Sequence, residues 1–116
     1  MEKEQLVTDV LKDLGISAGR LGYYYLRDAI LYRMDKGFIK SGTIHMYHEV
    51  AKMHNATSTQ VERAIRTAIE KGTLIGNQSA YDEMFRYTME TDGHIKNGTF
   101  INTVAEFCMR LYNEHK

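Results

Sequence analysis

The sequence predicts an all-α domain of about six helices. Three observations carry the prediction. Apolar residues recur at three- and four-residue spacing in one segment after another. No segment sustains the alternation of β-branched and polar residues that a half-buried strand needs. Proline is absent, and glycines fall singly, several of them where a periodic run ends.

Each element follows from its own residues. Residues 2–14 place Leu6, Val7, Val10, Leu11 and Leu14 at helical spacing, and Gly15 suits the C-terminal cap. Residues 19–36 form a second helix, with Leu21, Tyr24, Tyr25, Ala29, Ile30, Leu31 and Met34 as its apolar positions, and Gly37 ends it. A third helix spans 43–53. A fourth spans 58–71 and is expected to stop at Gly72. A short fifth helix near 80–88 follows Ser79 as N-cap. The last runs over 99–112, with Phe100, Ile101, Val104, Ala105, Phe107, Cys108 and Leu111 at core spacing.

Composition bounds the function. A chain of 116 residues supports one domain with a modest core. Apolar residues at 43% and charged residues at 26% fit a soluble globular protein. No apolar run is long enough to span a bilayer, and nothing reads as a signal peptide. The single cysteine, Cys108, rules out an internal disulfide and a Cys-based zinc cluster. A cytoplasmic protein that makes no membrane contact is expected. Fifteen basic and fifteen acidic residues balance to zero. Nucleic-acid binders are usually more basic, so a claim of DNA binding must rest on local charge.

The stretch HNATSTQVERAIRTAIE (54–70) supplies that local argument. At about 100° per residue, Val61, Ala64, Ile65, Ala68 and Ile69 fall on one side of a helix. Thr59, Arg63, Arg66, Thr67 and Glu70 fall on the other, with Gln60 and Glu62 on the flanks. Two overlapping capping boxes, Thr57 with Gln60 and Thr59 with Glu62, leave the start open by about two residues. The small Ala51, the turn residue Asn55 and the β-branched Val61 sit at the offsets of a helix-turn-helix, with Val50 beside Ala51 in the preceding helix. In that motif the second helix enters the major groove. From Ala51 to Gly72, Lys52, Arg63, Arg66 and Lys71 stand against Glu62 and Glu70, a net of +2. In residues 1–14, Glu2, Glu4, Asp9 and Asp13 stand against Lys3 and Lys12, a net of −2. The same spacing also suits a plain helical hairpin with a solvated charged face.

Other candidate sites read as structural. His45 and His48 stand three apart beside Glu49, but no third zinc ligand accompanies them. Tyr23, Tyr24 and Tyr25 suit core and rim packing better than base stacking. Met84, Met89 and Met109 read as core fillers, and Cys108 as a buried, inert thiol. The acid pairs Asp82-Glu83 and Glu90-x-Asp92 lack a companion base or metal spacing. With no Gly-rich phosphate loop, nucleophile elbow or metal cluster, neither an enzyme nor a cofactor is expected.

VERAIRTAIE (61–70), following HEVAKMHNATSTQ (48–60), resembles the recognition region of the master sporulation response regulator of endospore-forming Firmicutes, the stage-zero sporulation protein A family. The likeness is to its C-terminal DNA-binding effector domain. LGISAGRLGYYYLRDAI (14–30) resembles that domain's Lys/Arg-Gly-Tyr-x-Tyr-Leu-Arg-Glu-Ala-Ile signature, and RYTMETDG (86–93) and the final helix through Lys116 also have counterparts.

The resemblance implies a six-helix, helix-turn-helix effector domain of the winged-helix-like superfamily that binds short promoter elements of double-stranded DNA, often as head-to-tail copies. It implies base contacts from Gln60, Glu62 and Arg63, and backbone or flanking contacts from Ser58, Thr59, Arg66, Thr67 and Lys96. The chemistry is consistent. Arg63 suits guanine O6 and N7, Glu62 suits cytosine N4, and Gln60 suits adenine N6 and N7.

Three departures from the family pattern stand out. Gln60 replaces an arginine. Lys71-Gly72-Thr73-Leu74-Ile75 replaces a Val-Ala-Trp continuation. Asp92 and His94 stand where lysines are usual, although Lys96 is basic. The family protein also carries a receiver domain; residues 1–116 read as the effector domain alone. The rival reading is a protein-interaction module that keeps the fold and binds a related regulator or an RNA polymerase sigma subunit.

Overall fold

In the computed structural model, which describes residues 2–37, 42–86 and 94–115, the described residues form six α-helices and no strand. These are α1 (Lys3–Asp13), α2 (Leu21–Lys36), α3 (Gly42–Met53), α4 (Ser58–Ile75), α5 (Gln78–Phe85) and α6 (Asn97–Glu114). The all-α prediction therefore holds, with each expected helix present. Met89, Glu90 and Asp92, and most of RYTMETDG, lie outside the described residues.

Helix α2 is the hub, in contact with α1, α3, α4 and α6. It buries Tyr25, Leu26, Ala29, Ile30 and Met34. Against it stand Leu6, Val7, Val10 and Leu11 of α1, and Phe100, Ile101, Val104, Ala105 and Cys108 of α6. Tyr81, Phe85 and Phe100 form an aromatic row, with the two phenylalanine rings stacked at 5.3 Å. Tyr23 and Tyr25 are buried, while Tyr24 sits at the rim. Met84 and Met109 are partly buried against the core. Burial of Cys108 pushes its thiol up to about 12, so it stays protonated at neutral pH.

Helix ends follow local chemistry. Gly15, at φ +81°, completes a Schellman motif after α1: its N–H reaches the Lys12 carbonyl, and that of Ile16 reaches Leu11.

Several boundaries differ from the sequence expectation. Helix α4 does not stop at Gly72 but continues to Ile75. A Cβ at Gly72 would meet the Leu14 carbonyl at 2.7 Å and Ile16 and the Tyr81 hydroxyl at 2.9 Å. That glycine permits close approach to the end of α1; it is not a stop. Helix α5 begins at Gln78, because the Asn77 side chain accepts from the N–H groups of Ser79 and Ala80 and takes the cap expected of Ser79. Helix α6 is two residues longer at each end than expected, and Leu21, counted among the apolar positions of α2, is exposed.

Candidate nucleic-acid interface

Helices α3 and α4 are joined by residues 54–57. Asn55 adopts φ +52°, in the left-handed region. Its N–H points at the Lys52 carbonyl at 3.5 Å, and the Ala56 N–H reaches Ala51 at 2.9 Å, the pattern of a Schellman turn with asparagine in the glycine position. Thr57 then caps α4. Its hydroxyl accepts from the Gln60 N–H at 3.1 Å, and the Gln60 side-chain oxygen accepts from the Thr57 N–H at 2.9 Å. Of the two overlapping capping boxes, the first forms, and Thr59 lies inside the helix.

The turn is tied to the scaffold. His54 shares a 2.6 Å hydrogen bond with Asp28 of α2, and Tyr25 meets its ring edge-on at 5.0 Å. Asp28 also accepts from Arg27, which pairs with Glu4 of α1 at 3.5 Å. This chain of contacts joins α1, α2 and the turn. Sequence reading missed it, because 26 positions separate Asp28 from His54. At the other side, Asn97 at the start of α6 donates to the Glu62 carbonyl and the Tyr47 hydroxyl, each at 3.1 Å. Burial raises the Tyr47 hydroxyl above its ordinary value, so it is a neutral acceptor there.

Helix α4 buries Val61, Ile65, Ala68, Ile69 and Gly72. It presents Thr59, Gln60, Arg63, Arg66, Thr67 and Glu70 to solvent. The close seat of this helix depends on small residues: a Cβ at Gly22 of α2 would lie 2.5 Å from the Ala64 carbonyl and 2.9 Å from the Ala68 methyl. Arg63 has no hydrogen-bond or ion-pair partner among the described residues. Arg66 donates to Glu62 at 3.0 Å, one turn back, so the two hold each other. Glu62 keeps its second carboxylate oxygen for another donor. Ser58 bonds to His48 of α3 at 3.0 Å. Lys96 occupies the N-cap position of α6, next in the chain to Asn97 and hence beside the first half of α4.

The structure thus brings Ser58, Thr59, Gln60, Glu62, Arg63, Arg66 and Thr67 onto one helix, with Lys96 at its flank. It alters two expected chemistries. The Gln60 oxygen already accepts one bond in the cap, which restrains the side chain and leaves its amide donors as the freer groups for a base contact. Arg66 orients Glu62 before it can reach a phosphate.

His45 pairs with Glu49 at 3.6 Å, and among the described residues no group of three or more His, Cys, Asp or Glu is placed to hold a metal ion. No helix of the described residues is long and apolar enough to cross a membrane. A family model described as "Sporulation initiation factor Spo0A C terminal" matches residues 7–107.

Proposed function

The chain belongs to the Spo0A C-terminal family, a family of sporulation-related DNA-binding effector domains and not an enzyme family; from that premise we propose that it is a sequence-specific transcription regulator whose helix α4 reads the major groove of promoter DNA. The observation that carries the reading is the outer face of α4. A capped helix, seated on the core and held by the Asn55 turn, presents on its outer face an uncompensated arginine beside an oriented carboxylate.

The proposed roles are compatible with the geometry. Arg63 donates two bonds to guanine. Glu62, steadied by Arg66, accepts from cytosine with its second oxygen. Gln60 supplies a single donor to a purine N7. Thr59, Thr67, Ser58 and Lys96 face the flanking phosphates, aided by the positive end of α4. Head-to-tail copies on DNA, a cytoplasmic location and a single effector domain over 1–116 belong to the same proposal.

A second reading has its own observation. A groove of about 600 Å³ lies between α1, α5 and α6, with Leu6, Val10, Phe107 and Leu111 in its lining and Asp9, Asp13 and Glu83 among its charged residues. No residue of α4 lines it, and it suits a protein partner such as a related regulator or a sigma subunit. The two readings separate by fluorescence anisotropy on a duplex with the family-type element and on a scrambled duplex, at two salt concentrations. Specific binding that weakens with salt, and that loses about 1–3 kcal/mol of base discrimination in Arg63→Ala, supports α4 as the reading helix. Equal binding to both duplexes, unchanged by the substitution, refutes it; retained binding of a protein partner then favours the groove.

A further inference from the structure

Several surface cations in this chain are neutralised locally. Arg66 pairs with Glu62, Lys52 with Glu49, Lys36 with Asp35, and Arg27 with Glu4 and Asp28. Of the described cations without an ion-pair partner, three converge. Arg20, Arg63 and Lys71 line one cleft of about 470 Å³ between the first turn of α2 and the flank of α4, together with Thr67 and the small residues Gly22, Ala64 and Ala68. No carboxylate lines it. The acids adjacent in sequence to these cations, Glu62 and Glu70, are not part of the lining, and Glu62 is taken by Arg66. None of the three cations has an ion-pair partner among the described residues. In a chain of zero net charge, such a concentration of unpaired cations gives the cleft a positive potential that favours an anion.

We infer that this cleft seats a backbone phosphate of the bound duplex, with Arg20 and Lys71 as its ligands and Arg63 at the edge shared with the base-reading face. The inference rests on the reading of α4 as the groove helix and adds two contact residues to it. The close approach of α2 to α4 at Gly22 brings Arg20, distant in sequence, to the side of the recognition helix. The first-turn N–H groups of Leu21 and Gly22 have no intrahelical acceptor and strengthen the same field. A helix lying in the major groove is flanked by phosphate rows, so cations on its flank meet backbone and carry no base preference.

The test is the salt dependence of duplex binding by the whole chain and by Arg20→Gln, Lys71→Gln and the charge-retaining Arg20→Lys, with thermal unfolding as the folding control. Each lost phosphate contact removes about 0.9 from the slope of log K against log salt. Between 50 and 200 mM salt, each Gln variant then loses about 3.5-fold less affinity than the parent. It weakens cognate and scrambled duplexes alike, and Arg20→Lys keeps the parent slope. An unchanged slope in both Gln variants, while the parent binds duplex, overturns the cleft and leaves the reading of α4 intact. Absence of duplex binding by the parent overturns both. Titration with tripolyphosphate is a further arm: saturation of the Leu21 and Gly22 amide shifts, with unchanged duplex slopes, assigns the cleft to a free anion and overturns the backbone assignment.

Discussion

Gly22→Ala tests how tightly the reading helix is seated. The new Cβ stands 2.5 Å from the Ala64 carbonyl oxygen and 2.9 Å from the Ala68 methyl, both on a packed helix. Ordinary contact begins near 3.4 Å, so α2 and α4 must separate locally by about 0.9 Å, the difference between those two distances. Overpacking of this kind costs up to about 3 kcal/mol, and the alanine returns at most about 1 kcal/mol of helix propensity. A net loss of about 2 kcal/mol is expected. With about 2.1 cal/mol/K of unfolding entropy per residue, 116 residues translate that into a fall of about 8 °C in Tm. Circular dichroism at 222 nm measures it, and duplex affinity should fall in parallel as Arg63 and Arg20 shift relative to each other. An unchanged or higher Tm would refute the reasoning, because it would mean that the crossing relaxes without cost.

Further outcomes follow from single contacts. Asn55→Gly should leave stability unchanged or slightly raised, whereas Asn55→Val should cost about 2 kcal/mol, since a β-branched residue resists φ +52°; urea midpoints distinguish them. Thr57→Ala removes the hydroxyl of the capping box and should cost about 1 kcal/mol, seen as faster amide exchange in the first turn of α4. Tyr81→Phe strips the 2.6 Å hydrogen bond to the buried Leu14 carbonyl and should cost about 1–2 kcal/mol, without change in duplex specificity. Burial raises both the Cys108 thiol, from 9.0 to about 12, and the Tyr81 hydroxyl above 10.0, so the folded state favours their protonated forms. Their contribution is complete below pH 9 and is lost as pH rises toward 12; a denaturation midpoint that stays flat from pH 8 to 11 would contradict the burial.

Local chemistry was legible in the sequence because it acts across a few residues. Periodicity located the six helices, the Thr57 and Gln60 types announced a capping box, and Asn55 marked the left-handed turn. Family membership was legible too, in contiguous stretches such as VERAIRTAIE. Sequence misjudged Gly72, because a glycine that ends a helix and one that admits a neighbouring backbone look alike until Leu14 and Tyr81 are in place. It gave Gln60 two roles, cap and base reader, and only the folded turn shows the side chain engaged in the cap.

What tertiary structure alone decided are the pairings across long separations. Asp28 meets His54, Asn97 meets the Glu62 carbonyl, and Gly22 brings Arg20 beside Arg63 and Lys71. Such pairings depend on how helix faces of similar hydrophobicity choose their neighbours. That choice is set by the shape of the packed core, which no short window of sequence contains.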